Sequence, residues 1–223
     1  MSFIVAIDGP AGTGKGTITN LISKEMGLIN IDTGATYRSV ALYTIRNNIK
    51  LEEKQKIIDS LKDINIDIKN ENGKQEFFLN GENVTEEIRS KEVTKIVSPI
   101  SSIIEVRLAM VEVQRNLAKG KDVIMEGRDI TTYVFPNADV KIYLDADEEE
   151  RAKRRYKENI EKGINMTYEE VLENIKARDK NDKEKELGAL KIADDAIYID
   201  TTNLTIEEVK EKVRQIIEEK RGK

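Results

Sequence analysis

Phe3-Ile4-Val5-Ala6-Ile7-Asp8-Gly9-Pro10-Ala11-Gly12-Thr13-Gly14-Lys15-Gly16-Thr17 is the stretch whose reading decides the fold. Phe3 to Ile7 reads as a buried strand, and Gly9 to Lys15 fits the glycine-x4-glycine-lysine pattern of a phosphate loop. Beyond it Ile18, Leu21, Ile22 and Met26 recur at helical spacing, and Gly27 offers a C-terminal stop. The order strand, loop, helix is what the chemistry needs. Glycines let successive N–H groups turn inward, the helix start adds partial positive charge, and Lys15 supplies a point charge suited to β and γ phosphates. A plain glycine turn with an exposed lysine would match the pattern but would not require both flanking elements. Gly16 stands where a hydroxyl residue usually follows the lysine, with Thr17 one place later, so a Mg²⁺ ion would be held chiefly by nucleotide oxygens and water. That change, and the missing guanine-reading Asn-Lys-x-Asp sequence, argue against a GTPase switch.

Outward from this stretch, short apolar runs alternate with longer helical segments, the rhythm of a parallel sheet covered by helices on both faces. Further strands are expected at Leu28 to Ile31, Val123 to Met125, Val140 to Leu144 and Ala196 to Ile199, giving five. Thr167 with Glu170 and Thr205 with Glu208 have the spacing of helix capping boxes. Between Ile64 and Val84 the texture changes: Ile64, Ile66 and Ile68 alternate, Asn72-Gly73 and Asn80-Gly81 signal turns, and Phe77 to Leu79 returns. This small antiparallel meander is expected inside an insert at about 34–106. A charged helical hairpin is expected as a lid at about 148–182, leaving a core of about 1–33, 107–147 and 183–223.

The 223 residues suit one domain carrying an insert. Charged residues reach 35%, but 42 acids against 37 bases leave −5, so no polybasic surface for a nucleic-acid polymer is expected. The chain has no cysteine and no histidine, which removes thiolate chemistry and the commonest general base and metal ligand. The first apolar run is interrupted at Asp8, far short of a signal-peptide core, and no other run approaches a membrane-spanning length. A soluble, cytoplasmic monomer is expected.

Chemistry must therefore run on Lys, Arg, Asp, Glu, hydroxyls and backbone amides. Transfer to an alcohol profits from a base, whereas an acceptor phosphate is already anionic and asks only that two polyanions be screened and aligned. Arginine forks suit that task, and Arg38, Arg107, Arg128, Arg154, Arg155 and Arg178 fall near expected loops or helix faces. Any one of them could be a surface ion pair.

Ile7 to Thr17, Asp32-Thr33-Gly34-Ala35-Thr36-Tyr37-Arg38, Leu79-Asn80-Gly81-Glu82-Asn83-Val84, Glu87-Ile88-Arg89, Gly127-Arg128-Asp129 and Arg178-Asp179-x-x-Asp182 occur in the order and spacing of the bacterial cytidylate kinases. The chain resembles that family over nearly its whole length. Adenylate kinases share Gly-Lys-Gly-Thr but carry Asp-Gly-Phe-Pro-Arg where this chain has Glu126-Gly127-Arg128-Asp129. The resemblance implies an α/β P-loop fold with a small β insert and a helical lid, ATP as donor with Mg²⁺, and CMP or dCMP as acceptor. It implies that Gly9, Pro10, Ala11, Gly12, Thr13, Gly14, Lys15, Gly16 and Thr17 bind ATP, and that Lys15, Arg128, Arg154 and Arg178 act in transfer. Ser98, Arg107 and Asp129 would read cytosine, Arg38 and Arg128 would hold the acceptor phosphate, Arg178 and Asp182 would close on phosphate and ribose, and Thr33 would touch the nucleotide. No residue is expected to hold a metal directly.

Taken singly, Ser98 could end a helix before Pro99, Arg107 could be a helix-surface arginine, and Asp129 could cap the segment after its strand. Asp8 could order either the phosphate loop or the acceptor site. Three places depart from the family pattern: Lys185 where arginine is usual, Thr131 where glycine is usual, and Gly188-Ala189-Leu190 where Ala-Pro-Leu is usual. Two other readings stand beside this one, an adenylate or shikimate kinase-like enzyme and a nucleotide-binding regulator without transfer activity.

Overall fold

The computed structural model describes residues 2–71, 74–161 and 163–222. Five parallel strands form the main sheet in the order β2-β6-β1-β7-β8, with β1 at Ile4–Asp8, β2 at Ile29–Asp32, β6 at Val123–Gly127, β7 at Val140–Asp145 and β8 at Ile197–Asp200. All five expected strands are present, each displaced by one residue or extended toward its carboxyl end. The extension has a cause: Asp8, Asp32, Glu126-Gly127 and Asp145 keep pairing through their backbones although their side chains break the apolar runs. β1 lies between two partners with helices on both faces, so Val5, Ala6 and Ile7 are fully buried, and a continuous apolar run is what such a strand requires.

One face of the sheet is covered by α1 (Lys15–Met26) and α8 (Ile206–Arg221), where Ile18, Ile22, Val209, Val213 and Ile217 pack on Val5, Ile7, Ile142 and Leu144. The other face receives α5 (Ile104–Ala118) through Val111 and Ala118, together with Ile130 and Val134. Gly27 closes α1 with φ 67°, and both capping boxes, at Thr167 and Thr205, are formed.

Between β2 and α5 lies a section with its own apolar cluster. It contains α2 (Thr33–Arg46), α3 (Lys54–Ser60), α4 (Lys91–Ile100) and the antiparallel sheet β3 (Ile66–Glu71), β4 (Lys74–Leu79), β5 (Glu82–Asn83). Val40, Ile57, Phe77, Val84, Ile88 and Ile100 are central to that cluster, and Val106 and Met110 of α5 join it to the core. The turn expected at Asn72-Gly73 lies outside the described residues. The turn at Asn80-Gly81 is formed with φ 51° and 85°, the doubly positive pair that tight hairpins demand. After β7, α6 (Glu148–Glu161) and α7 (Tyr168–Glu184) make a helical hairpin with a small core of Ala152, Val171 and Ile175. Among the described residues no helix is long and apolar enough to cross a membrane.

The parallel topology sends the carboxyl ends of β1, β2 and β6 to one edge of the sheet. The phosphate loop, the start of α2 and the Arg128-Asp129 turn therefore meet there, the usual place for ligands in an open α/β sheet.

Candidate active site

The phosphate loop joins β1 to α1. Gly9 packs against β7 so closely that a Cβ would stand 2.0 Å from Leu144 O, and Gly14 has φ 86° at the helix start, so both places need glycine. Lys15, only 4% exposed, donates from Nζ to Pro10 O (2.6 Å) and Thr13 Oγ1 (3.3 Å), which aligns its ammonium along the inside of the loop. Burial lowers its pKa, and the positive charge of Arg128 lowers it further. Glu126 approaches the start of α1: a Cβ on Gly16 would come within 2.8 Å of Glu126 Oε1, the end of that side chain. Burial raises the pKa of Glu126, and Asp32 adds to the rise. Thr17, also expected in the loop, is exposed on the first turn of α1.

Beside the loop, charged side chains from four elements come together. Arg38 on α2 donates to Thr94 Oγ1 (2.9 Å) and Ile88 O (3.4 Å). At the end of β6, Arg128 Nε pairs with Asp182 Oδ2 of α7 at 2.8 Å. Asp182 also takes Lys185 Nζ (2.9 Å) on its other oxygen and has Arg178 Nε at 4.0 Å. Burial alone would raise the pKa of Asp182, but Arg128, Lys185 and Arg178 hold it well below the usual carboxylate range. Arg178 is pushed down to about 10 by burial and by the charge of Arg128. Arg38 is lowered too, by burial and then by Arg89, Arg155 and Arg128 against the pull of Asp32.

Arg107 and Asp129 form a buried ion pair, 2% and 4% exposed, so Arg107 is not the surface arginine its helical position allowed. It also donates to Ser101 O (3.2 Å) and lies over the Tyr37 ring at 5.4 Å, while its Nε is buried without a partner among the described residues. Asp129 precedes a π-helical turn at Ile130–Val134, but its carboxylate goes to Arg107 and caps nothing. Burial pushes its pKa up against that pairing. Ser98 does not end its helix: α4 continues through Pro99 to Ile100, and Ser98 Oγ accepts from Asn181 Nδ2 of α7 at 2.6 Å. Thr33 opens α2 and donates to Glu126 O at 2.7 Å, tying the acceptor side to β6.

Thus Arg38, Arg107, Arg128, Asp129, Arg178 and Asp182 form one coupled set of charges, Lys15 lies within its electrostatic reach, Ser98 is bonded to α7 through Asn181, and Thr33 is bonded to β6 through Glu126 O. Arg154 is placed differently. Its fork is engaged by Glu150 Oε1 (3.2 Å), Thr201 Oγ1 (3.1 Å), Thr201 O (2.6 Å) and Thr202 O (3.2 Å), in the loop before α8. The α6 arginine that reaches the phosphate loop is Arg151, one helical turn earlier. It donates to Ala11 O (3.0 Å) and Ala146 O (2.9 Å) and pairs with Asp179 at 2.6 Å. In the sequence Arg151 stands only as one arginine of the charged hairpin, and nothing there marks Glu126 or Asn181 as contacts of the site. For Arg151 the available signal was its i,i+3 relation to Arg154 on one helix face.

A phosphate loop, a cluster of arginines beside it and a helical hairpin whose Arg151 reaches the loop make the arrangement of a P-loop kinase. The cytidylate kinase family model matches residues 5–219, and the chain belongs to that family. It is 52% identical to a cytidylate kinase of Caldicellulosiruptor saccharolyticus over 95% of this chain and 94% of that protein. It is 47% identical to one of Thermosipho melanesiensis over 97% of each, and 44% identical to one of Bacillus subtilis over 97% and 96%. Among solved structures, an uncharacterized protein from Eubacterium ventriosum ATCC 27560 shares the fold at TM-score 0.53 and 10% identity, covering 98% of this chain and 99% of that one.

Proposed function

We propose that this protein transfers the γ-phosphoryl group of ATP to CMP or dCMP, giving ADP and CDP or dCDP, as a cytoplasmic monomer in pyrimidine nucleotide metabolism. The observation that carries the reading is the crowding of Lys15, Arg38, Arg128 and Arg178, whose charges oppose one another across the cleft between phosphate loop and lid. Like charges so placed are relieved by a polyanion. A non-bridging oxygen of the acceptor phosphate attacks the γ-phosphorus while the bond to the β–γ bridging oxygen breaks, and ADP leaves with that electron pair. The acceptor needs no base. Lys15 and the loop amides take up charge on the β and γ oxygens; Arg38 and Arg128 hold the acceptor phosphate in line, and Arg178 brackets the moving group from α7.

Cytosine is the base that suits Arg107 and Asp129. A carboxylate accepts from the exocyclic amine, the unpartnered Arg107 Nε is a donor of the kind the ring carbonyl takes, and uracil would turn its O4 toward the carboxylate. Mg²⁺, when bound with ATP, supplies charge neutralisation at the β and γ phosphates. No group of three or more potential acidic ligands occurs among the described residues. The site suits an ion carried in by phosphate oxygens and water, with Glu126 as the nearby carboxylate. We take about 1–33, 107–147 and 183–223 as the core, about 34–106 as the acceptor-binding insert and about 148–182 as the lid.

A coupled assay of ADP release across CMP, dCMP, UMP, AMP and shikimate tests the substrate. CMP and dCMP are expected to lead; preference for AMP or shikimate would replace the proposal with a related kinase, and no acceptor-stimulated turnover would favour a nucleotide-binding regulator.

A further inference from the structure

Asp8 is the last residue of β1, it is completely buried, and the next residue begins the phosphate loop. Its carboxylate does not face the loop. Oδ1 accepts from Ile130 N (2.9 Å), and Oδ2 accepts from Thr131 N (2.7 Å) and Thr131 Oγ1 (2.6 Å). These donors directly follow Asp129 in the chain. The same turn is closed from the other side, because Asp129 O accepts from Tyr133 N (2.8 Å) and Val134 N (3.1 Å). Both oxygens are thus engaged by donors of one turn.

We propose that Asp8 and Thr131 form a buried clasp that fixes the turn carrying Arg128 and Asp129 against the root of the phosphate loop, and so sets the acceptor base and phosphate in register with the donor. Asp8 is a positioning residue, acting through Asp129. Two aspects of the site make the clasp necessary. Asp129 carries a carboxylate that burial and Asp8 itself disfavour, so its backbone must be held if the side chain is to stay aimed at Arg107. Gly127, paired in register with Asp8, leaves β6 with space so tight that a Cβ would stand 2.7 Å from both Ile130 Cδ1 and Thr33 Oγ1, so small shifts of the turn are felt at once on the acceptor side. Thr131, where the sequence pattern leads one to expect glycine, adds the third bond through its hydroxyl and makes the clasp of this chain tighter than backbone donors alone would make it.

The inference rests on Arg107 and Asp129 reading cytosine, and its test separates the two claims. Thr131→Val keeps size and N–H but removes the hydroxyl. It is expected to lower kcat/KM for CMP about tenfold and to narrow the CMP-to-UMP ratio, with KM for ATP unchanged within about twofold. Asp8→Asn is expected to act in the same direction and more strongly, and the double variant should lose less than the product of the two single losses. A Thr131→Val enzyme with an unaltered CMP-to-UMP ratio, beside an Asp129→Asn enzyme in which that ratio collapses, would overturn the clasp and keep the reading of Asp129. An unaltered ratio in Asp129→Asn would overturn the base reading itself. Losses in Thr131→Val shared equally between CMP and ATP would mean that the bond serves stability alone. Thr131→Val keeps the test decisive if Asp8→Asn does not fold.

Discussion

The proposed donor and acceptor sides of the site are built by opposite means. The phosphate loop is one contiguous run whose shape is set locally, by glycines at forced conformations and by a lysine that bonds back to Pro10 and Thr13 two to five residues away. The acceptor side is a mesh of charges from α2, α5, β6 and α7, joined by pairs such as Arg107–Asp129 and Arg128–Asp182 that span 22 and 54 positions. A local cradle tolerates change elsewhere in the protein, whereas a mesh transmits it. Phosphate binding should therefore be robust and generic, and base selection should be fragile and particular.

That contrast can be broken at several points. Lys15→Ala carries the largest expected effect: transfer should fall by roughly a thousandfold or more for every acceptor while the circular dichroism melt stays near that of the parent, since charge is lost and no apolar contact. Asp129→Asn should cost CMP about a hundredfold in kcat/KM, as a mispaired buried polar group does, with UMP much less affected and KM for ATP nearly constant. Equal losses across acceptors would erase the distinction drawn above.

The next test is of stability. Burial lifts the Asp8 carboxyl to about 6 from 3.8, so its contribution is fully present below 3.8 and lost as pH rises through about 6. The stability of the parent relative to Asp8→Asn, read by urea denaturation at pH 4 and pH 8, should be larger at the lower pH by about 2 kcal/mol. Asp182, held low, has the opposite sign: its contribution is present above 3.8 and lost as the solution is acidified. A smaller effect distinguishes two lid arginines. Arg151→Ala should raise KM for ATP about tenfold because Arg151 ties Asp179 to Ala11 O, and Arg154→Ala should change it by less than about threefold. Smallest of all, Lys185→Arg should shift KM for CMP by no more than about twofold, since Lys185 Nζ already bonds Asp182 Oδ1 (2.9 Å) and Ser101 Oγ (3.1 Å).

The same division explains what could be read from the chain. The five strands, both capping boxes, the Asn80-Gly81 turn and the phosphate loop are short-range patterns, and local spacing sufficed to find them. Arg107 is the instructive case on the other side: it shares the face of α5 that carries Met110, Val111, Gln114 and Ala118, so the spacing points inward, but nothing within α5 tells of the carboxylate 22 positions ahead that pairs with it. Arg151 and Arg154 share a helix face, so no periodicity could say which would turn to the phosphate loop and which to Thr201 and Thr202. The approach of the Glu126 carboxylate to position 16 joins β6 to α1 and exists only after folding. Strand ends ran past their apolar residues because pairing depends on the backbone, which polar side chains at a sheet edge do not interrupt.

A crystal structure with CMP and a non-hydrolysable ATP analogue is the most direct measurement. The account predicts the pyrimidine edge on Arg107 and Asp129, the triphosphate on Lys15 and the loop amides, and Arg38, Arg128 and Arg178 between the two phosphate chains. A pyrimidine lying away from Asp129, or a triphosphate lying off the loop, would contradict it.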